Sequence, residues 1–174
     1  MKMVFPTLEY KAAAVAFVSE CRKDYPEING DAGLEDYLRD RSYEEWLLKL
    51  QRDIDIANVP KERVPAITYF YVDDSDRIIG IVDIRLALND FLASQGGHVG
   101  YSVLPAEQGK GYATEMLRKA LKVLKRIGNT EAVITCDRDN PASQSVIKKC
   151  GGELTHEFYS EFFKSEIQRY VIKL

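Results

Sequence analysis

The rhythm of apolar and polar positions changes several times along the chain, and each change marks an element. From Tyr10 to Cys21, alanines and larger apolar residues gather on one side of a helical projection until Tyr25-Pro26-Glu27-Ile28-Asn29-Gly30 breaks the pattern. A second helix is predicted from Ser42, an N-cap with Glu45 three residues later, through Trp46, Leu47 and Leu50; Pro60 and Pro65 close the helical region. From Ala66 the pattern turns to strands. Ala66–Val72 and Ile78–Leu86, joined by Asp73-Asp74-Ser75-Asp76, read as an antiparallel hairpin, followed by a loop over Leu88–Gly97. His98–Leu104 reads as a strand stopped by Pro105. Ala113, Met116, Leu117, Ala120, Leu121, Leu124 and Ile127 fall at helical spacing, with Gly128 at the C-cap position. Ala132–Cys136 is a short buried-type strand. Asn140 as N-cap and Pro141 at the first helical position open a short helix that ends at Gly151-Gly152, and strands Glu153–Tyr159 and Ile167–Ile172 finish the chain. Without repeats or linkers, this order predicts one α/β domain over residues 1–174, a mixed sheet with helices on both faces.

Composition narrows the class. At 174 residues the chain can bury about 70% of its unfolded surface, enough for a core without disulfides or a structural metal. Hydrophobic residues at 45% and charged residues at 29% indicate a soluble globular protein. Ala12–Val18 is too short to span a bilayer and no signal-peptide pattern opens the chain, so the expected location is the cytoplasm, with no membrane partner. Cys21, Cys136 and Cys150 are widely spaced, and with only His98 and His156 beside them no metal site is expected. A net charge of −3 argues against a nucleic-acid partner, and the basic residues from Lys110 to Arg126 read as the solvated face of a helix.

The chemistry is concentrated in Val103-Leu104-Pro105-Ala106-Glu107-Gln108-Gly109-Lys110-Gly111-Tyr112-Ala113-Thr114. A strand stops and a loop with two glycines runs straight into the longest helix. Glycines let the backbone approach an anion, and the first helical N–H groups point outward at the positive end of the helix dipole. Lys110 adds a charge at the rim. A Walker loop fails, because Lys110 is followed by Gly111, and a dinucleotide fingerprint fails at Thr114.

Gln108-Gly109-Lys110-Gly111-Tyr112-Ala113 resembles the Q/R-x-x-G-x-G/A signature of the GCN5-related N-acetyltransferase (GNAT) superfamily. Asn140-Pro141-Ala142-Ser143, followed by Val146, Ile147 and Gly151, resembles its second motif, and the segment Gly80–Ala113 with Arg85, Asn89 and Gly96-Gly97-His98 looks like a bacterial branch of predicted acetyltransferases. The resemblance implies the acyl-CoA N-acyltransferase fold, a central, mostly antiparallel sheet with helices on both faces. It also implies transfer of acetyl from acetyl-CoA to a primary amine, on a small molecule or a peptide, by direct attack in a ternary complex. Carried over, the backbone of Gln108, Gly109, Lys110, Gly111, Tyr112 and Ala113 would hold the pyrophosphate, Val103 and Leu104 the pantetheine arm, and Asn140 and Ser143 the other side of the coenzyme. Asn140 reads equally as a plain N-cap. A homodimer stays open.

Catalytic groups are less legible. Many relatives carry a tyrosine acid where this chain has Ile147. Tyr101, His98 and Tyr159 are the candidates that remain. Strand alternation puts Val99, Tyr101 and Val103 on one face and His98 on the other, which favours Tyr101 as a pocket residue and a structural role for His98. Arg85 reads as an anion-binding group or an ion-pair partner, and Tyr25, Tyr37, Tyr43 and Trp46 are expected to line the acceptor pocket. The alternative is a coenzyme-binding sensor that has lost turnover; an ATP-binding protein is a third reading.

Overall fold

The computed structural model describes residues 1–60 and 62–174. Its strands are β1 (Lys2–Val4), β2 (Ala66–Val72), β3 (Ile78–Arg85), β4 (Val99–Val103), β5 (Glu131–Asp137), β6 (Glu153–Ser160) and β7 (Ser165–Lys173). Its α-helices are α1 (Lys11–Cys21), α2 (Leu34–Asp40), α3 (Tyr43–Asp53), α4 (Tyr112–Arg126) and α5 (Pro141–Lys149). The strands form two antiparallel sheets, ordered β1-β2-β3-β4 and β5-β7-β6. The fold is thus the mixed α/β arrangement expected, with its sheet divided between β4 and β5.

Neighbouring residues on β2 show why helices cover both faces. Phe70 stacks at 5.8 Å on Trp46 of α3, whereas Tyr71 points the other way, 5.9 Å from Tyr112 of α4. Two separate apolar seams follow from this alternation. Phe17, Tyr43 and Trp46 close one, and Met116, Leu117, Ala120 and Leu124 close the other, all at most 2% exposed. Helix α4 comes so close to β3 that a Cβ on Gly80 would lie 3.0 Å from the Met116 side chain.

The local signals act as expected. Ser42 Oγ accepts the Glu45 N–H at 3.2 Å and donates to the Glu45 carboxylate at 2.9 Å, which fixes the start of α3. Asn140 Oδ1 accepts the Ser143 N–H at 3.0 Å to start α5. Five elements were not expected among the described residues, two of them the 3₁₀ turns Leu8–Tyr10 and Pro105–Glu107. Strand β1 is only three residues long. Helix α2 begins after Gly33, in the left-handed conformation, and is capped from two residues further back: the Asp31 carboxylate accepts the N–H groups of Gly33 at 2.8 Å and Glu35 at 2.9 Å. Within the expected 88–97 loop, Leu92–Gly96 forms one π-helical turn.

Candidate functional site: the wedge between strands β4 and β5

Among the described residues, strand β4 pairs with β3 alone and forms the edge of its sheet. Leu104 N–H donates to Ile79 C=O at 2.9 Å and Arg85 N–H to His98 C=O at 2.8 Å, and the ladder between them has no bulge. Antiparallel alternation therefore turns the backbone groups of Gly100, Ser102 and Leu104 toward β3 and those of Val99, Tyr101 and Val103 toward the open edge. Leu104 spends its N–H inside the sheet.

The two sheets meet at His98. Its N–H donates to Val133 C=O at 2.7 Å, and its ring Nδ1 accepts the Val133 N–H at 2.9 Å. The ring is therefore a neutral tautomer with its proton on Nε2. Burial, then the nearby Arg85 charge, push its pKa below the ordinary histidine value. Beyond this clamp β4 and β5 are not paired, which leaves a wedge floored by Tyr101 and the first turn of α5. The Tyr101 hydroxyl lies 3.0 Å from Ser143 Oγ. Burial raises the Tyr101 pKa to about 12, so the phenol is protonated at neutral pH. Ile147, one turn further along α5, is fully buried and presents no polar group.

The glycine loop sits at the far end of β4. Gly109 and Gly111 have φ of 75° and 87°, and a Cβ at either would meet nothing within 4 Å. Here glycine answers to backbone conformation and approach from outside, not to internal packing. No side chain caps α4 at Gly111, so the first N–H groups of a 15-residue helix point out of the loop. This backbone can hold a phosphate. Lys110 Nζ pairs with Glu107 at 2.7 Å, and Glu107 pairs also with Arg77 at 3.0 Å.

Between loop and wedge stands Tyr25. Its hydroxyl donates to Val103 C=O at 2.7 Å and accepts from Gln108 Nε2. The segment that carries it lies flat on β4. Ser102 Oγ donates to Asn29 C=O at 2.8 Å, and a Cβ on Gly30 would come within 2.1 Å of the Gly100 oxygen, so only glycine fits there.

The remaining candidates are spread wider. Tyr159, half exposed, lines an open hollow of about 570 Å³ with Asp137, Asn140 and Lys164. Of the aromatic residues expected around an acceptor, Tyr37 lines a separate cavity of about 390 Å³ between α2, α3 and β3. Tyr43 and Trp46 do not line it. Both are core residues, at 1% and 0% exposure, with their polar tips satisfied by Thr7 C=O at 3.0 Å and Ala32 C=O at 3.2 Å. Arg85 is spent mainly on backbone, donating through Nη1 to the carbonyls of Gly96 and Gly97, both at 2.9 Å. Asp83, on the floor of the same cavity, was missed in the sequence. Its signal was a lone carboxylate inside the apolar run Ile78–Ile84. All three cysteines are free. Burial raises their pKa values, that of Cys21 to about 12 and that of Cys136 to about 11.

The mixed α/β fold agrees with the comparisons. A family model described as an acetyltransferase (GNAT) domain matches residues 13–153. Among solved structures, the chain resembles the RimL ribosomal L7/L12 alpha-N-protein acetyltransferase in complex with coenzyme A, at 17% identity and TM-score 0.71, covering 99% of this chain and 93% of that one. It also resembles the microcin C7 self-immunity acetyltransferase MccE in complex with acetyl-CoA and AMP, at 18% identity and TM-score 0.69, over 99% and 91% of the two chains. A spermidine N-acetyltransferase SpeG chimera of Vibrio cholerae and hSSAT gives 16% identity and TM-score 0.67 over 99% and 96%. At these identities the likeness is one of fold. No curated protein matches the sequence. With the family model spanning most of its length, the chain belongs to the GNAT acetyltransferase family.

Proposed function

We propose that the protein transfers the acetyl group of acetyl-CoA to a primary amine by direct attack in a ternary complex, the acceptor being a small molecule or a peptide. One observation carries this reading: the free edge of β4 leads, through the Pro105–Glu107 turn and the loop of Gly109 and Gly111, to an uncapped helix N-terminus. A pyrophosphate would take the N–H groups from Gln108 to Ala113. The pantetheine arm would add along β4 at Val103 and Tyr101, whose backbone groups face outward; Leu104, its N–H already bonded to Ile79, adds side-chain packing. Ser143 and the start of α5 would close the other side, with Asn140 acting as cap.

In the transfer, the neutral amine nitrogen forms a bond to the acetyl carbon, the carbon–sulfur bond breaks, the nitrogen gives up a proton to solvent, and the thiolate needs a proton. Tyr101 is the donor we assign to that proton, because its phenol stays protonated and faces the wedge beside Ser143. His98 is assigned the clamp between the sheets, since its Nδ1 already holds Val133. Tyr159 is assigned no step.

The test is an acceptor screen with release of free coenzyme thiol as the readout. Steady release with an amine, lost in Tyr101→Phe, supports the assignment. Coenzyme binding without release for any amine favours the second reading, a sensor, for which the buried Ile147 speaks.

A further inference from the structure

Strand β6 is the outer strand of its half-sheet, and it is exposed on both faces over most of its length. Its neighbour β7 is largely buried, whereas along β6 Leu154 is 46% and Tyr159 51% exposed. A free edge invites pairing, and chains blunt such edges with bulges and charges. The first half of β6 is blunted in this way. Glu153 opens it, the register slips between Leu154 and His156, and the Thr155 hydroxyl turns in to Arg169 C=O at 3.0 Å. From His156 to Ser160 the strand runs in even register without a bulge.

The backbone groups that face outward follow from β7. Glu166 C=O accepts the Arg138 N–H at 2.8 Å, and the Leu174 N–H reaches Thr130 C=O at 2.9 Å. Glu166, Gln168, Tyr170 and Ile172 therefore turn their backbone groups to β5. Ser165, Ile167 and Arg169 turn to β6, where they meet Ser160, Phe158 and His156. Glu157 and Tyr159 are left with N–H and C=O groups directed away from the sheet. Their side chains share one face, beside Gln168 and Glu166. Glu157 accepts from Gln168 through Oε1 at 2.6 Å, while its Oε2 and the Tyr159 hydroxyl have no hydrogen bond among the described residues.

One partner matches this edge: a second copy of the same chain. In an antiparallel pair with its two-fold axis at Phe158, Glu157 lies opposite the Tyr159 of the second copy, and the reverse. Outward backbone groups then meet outward backbone groups, and each free phenol donates to a free carboxylate oxygen. Phe158 faces its own copy on the other side of the sheet, an aromatic cross-strand pair. Neighbouring registers fail. An axis at Glu157 sets two carboxylates against each other, and an axis at Tyr159 sets Glu157 against Glu161. We propose that two copies associate through this half of β6 and join their β5-β7-β6 half-sheets into one continuous sheet. The inference stands apart from the acetyl-transfer reading, because no coenzyme or acceptor group takes part in it.

The experiment measures the mass of the whole protein by sedimentation equilibrium from about 1 μM to about 1 mM, the span of weak to moderate association. A rise with concentration from 19.8 kDa toward twice that mass is expected. Phe158→Lys, which sets two charges against each other on the axis, should raise the dissociation constant by about 100-fold. Phe158→Cys reads the register. Across a non-hydrogen-bonded pair the Cα atoms lie about 4.5 Å apart, within disulfide range, so mild oxidation should link two such chains. Tyr159→Cys should not link, because each new thiol faces Glu157; wild type controls for the native cysteines. Amide exchange locates the interface without any substitution, since the N–H groups of Glu157 and Tyr159 should slow as the dimer forms. A monomer throughout the range, unchanged association in Phe158→Lys, or linkage through Tyr159→Cys in place of Phe158→Cys would overturn the proposal. So would a doubled mass with unaltered exchange at Glu157 and Tyr159.

Discussion

The ring of His98 and the amide of Val133 hold the two sheets together: Nδ1 accepts the Val133 N–H at 2.9 Å while the His98 N–H returns a bond to the Val133 carbonyl. His98→Ala leaves that amide buried without its ring acceptor, which should cost about 1–3 kcal/mol of stability. The cost should depend on pH. The folded state holds this histidine below its ordinary pKa, so below about pH 6.5 the unfolded chain binds the extra proton and the stabilisation fades. Asp83 and Asp31 act in the opposite sense, because burial raises their pKa values and the folded state takes up protons first as pH falls. Denaturant melts of wild type and His98→Ala from neutral to acid pH should show the gap between them narrowing. A gap that widens toward acid would contradict the neutral clamp.

Gly111 should report on the coenzyme. At φ of 87° any side chain is strained by about 1–3 kcal/mol, yet a Cβ there meets no neighbour. Gly111→Ala should therefore fold with a modest loss and still block the outer approach to the helix N–H groups. Coenzyme A at about 100 times its dissociation constant should stabilise wild type by roughly 2.7 kcal/mol and the variant far less. Equal thermal shifts would remove the pyrophosphate from this loop.

Tyr25 and the chain's single tryptophan offer an optical readout. The Tyr25 hydroxyl occupies Val103 C=O, and seven residues on, Ala32 C=O accepts the Trp46 indole N–H at 3.2 Å. An arm that adds to the β4 edge competes for Val103 and displaces Tyr25. Coenzyme A should then change Trp46 emission, and Tyr25→Phe, which gives up the competing bond, should bind coenzyme several-fold tighter with a smaller optical change. Unaltered emission on saturation would show that the loop stays in place.

The cysteines should be idle. Direct transfer forms no acyl-enzyme, and burial keeps the Cys21 and Cys136 thiols almost wholly protonated at neutral pH. A Cys21, Cys136 and Cys150 triple alanine variant that folds should keep its turnover. An acetylated cysteine trapped on wild type would establish a two-step route instead.

Tyr101→Phe should lower kcat by roughly 10²–10⁴-fold, the usual worth of a positioned acid, with coenzyme affinity unchanged. Ser143→Ala, which removes only the hydroxyl 3.0 Å away, should have a smaller effect. A Phe variant with full activity would return the proton to solvent.

What could be read in the sequence was local. Ser42 with Glu45, Asn140 with Pro141, and Gly109 with Gly111 each state a backbone requirement within a few residues, and the structure meets each one. What could not be read depends on distant partners. The acceptor of the Val133 amide is 35 residues away. Tyr43 and Trp46 looked like pocket aromatics, but β2 draws them into the core, where Phe70 stacks on Trp46. Asp83 sits in an apolar strand whose alternation gave no hint of a cavity, because that cavity is made by α2 and the 92–96 turn. Helix α2 itself was hidden by a cap set back at Asp31.

The division of the sheet sets how stiff the wedge is. In an unbroken seven-stranded sheet, spreading β4 from β5 would rupture a rung for every pair of residues, at about 1 kcal/mol each. Here every rung lies within one half-sheet or the other, and among the described residues the strand-to-strand crossing is the His98–Val133 clamp, joined by the bonds of Arg169 and Ser160 to the 92–96 turn. The wedge can therefore open like a book on its spine, its width governed by side-chain packing against α4 and α5, while the two pages keep their ladders intact.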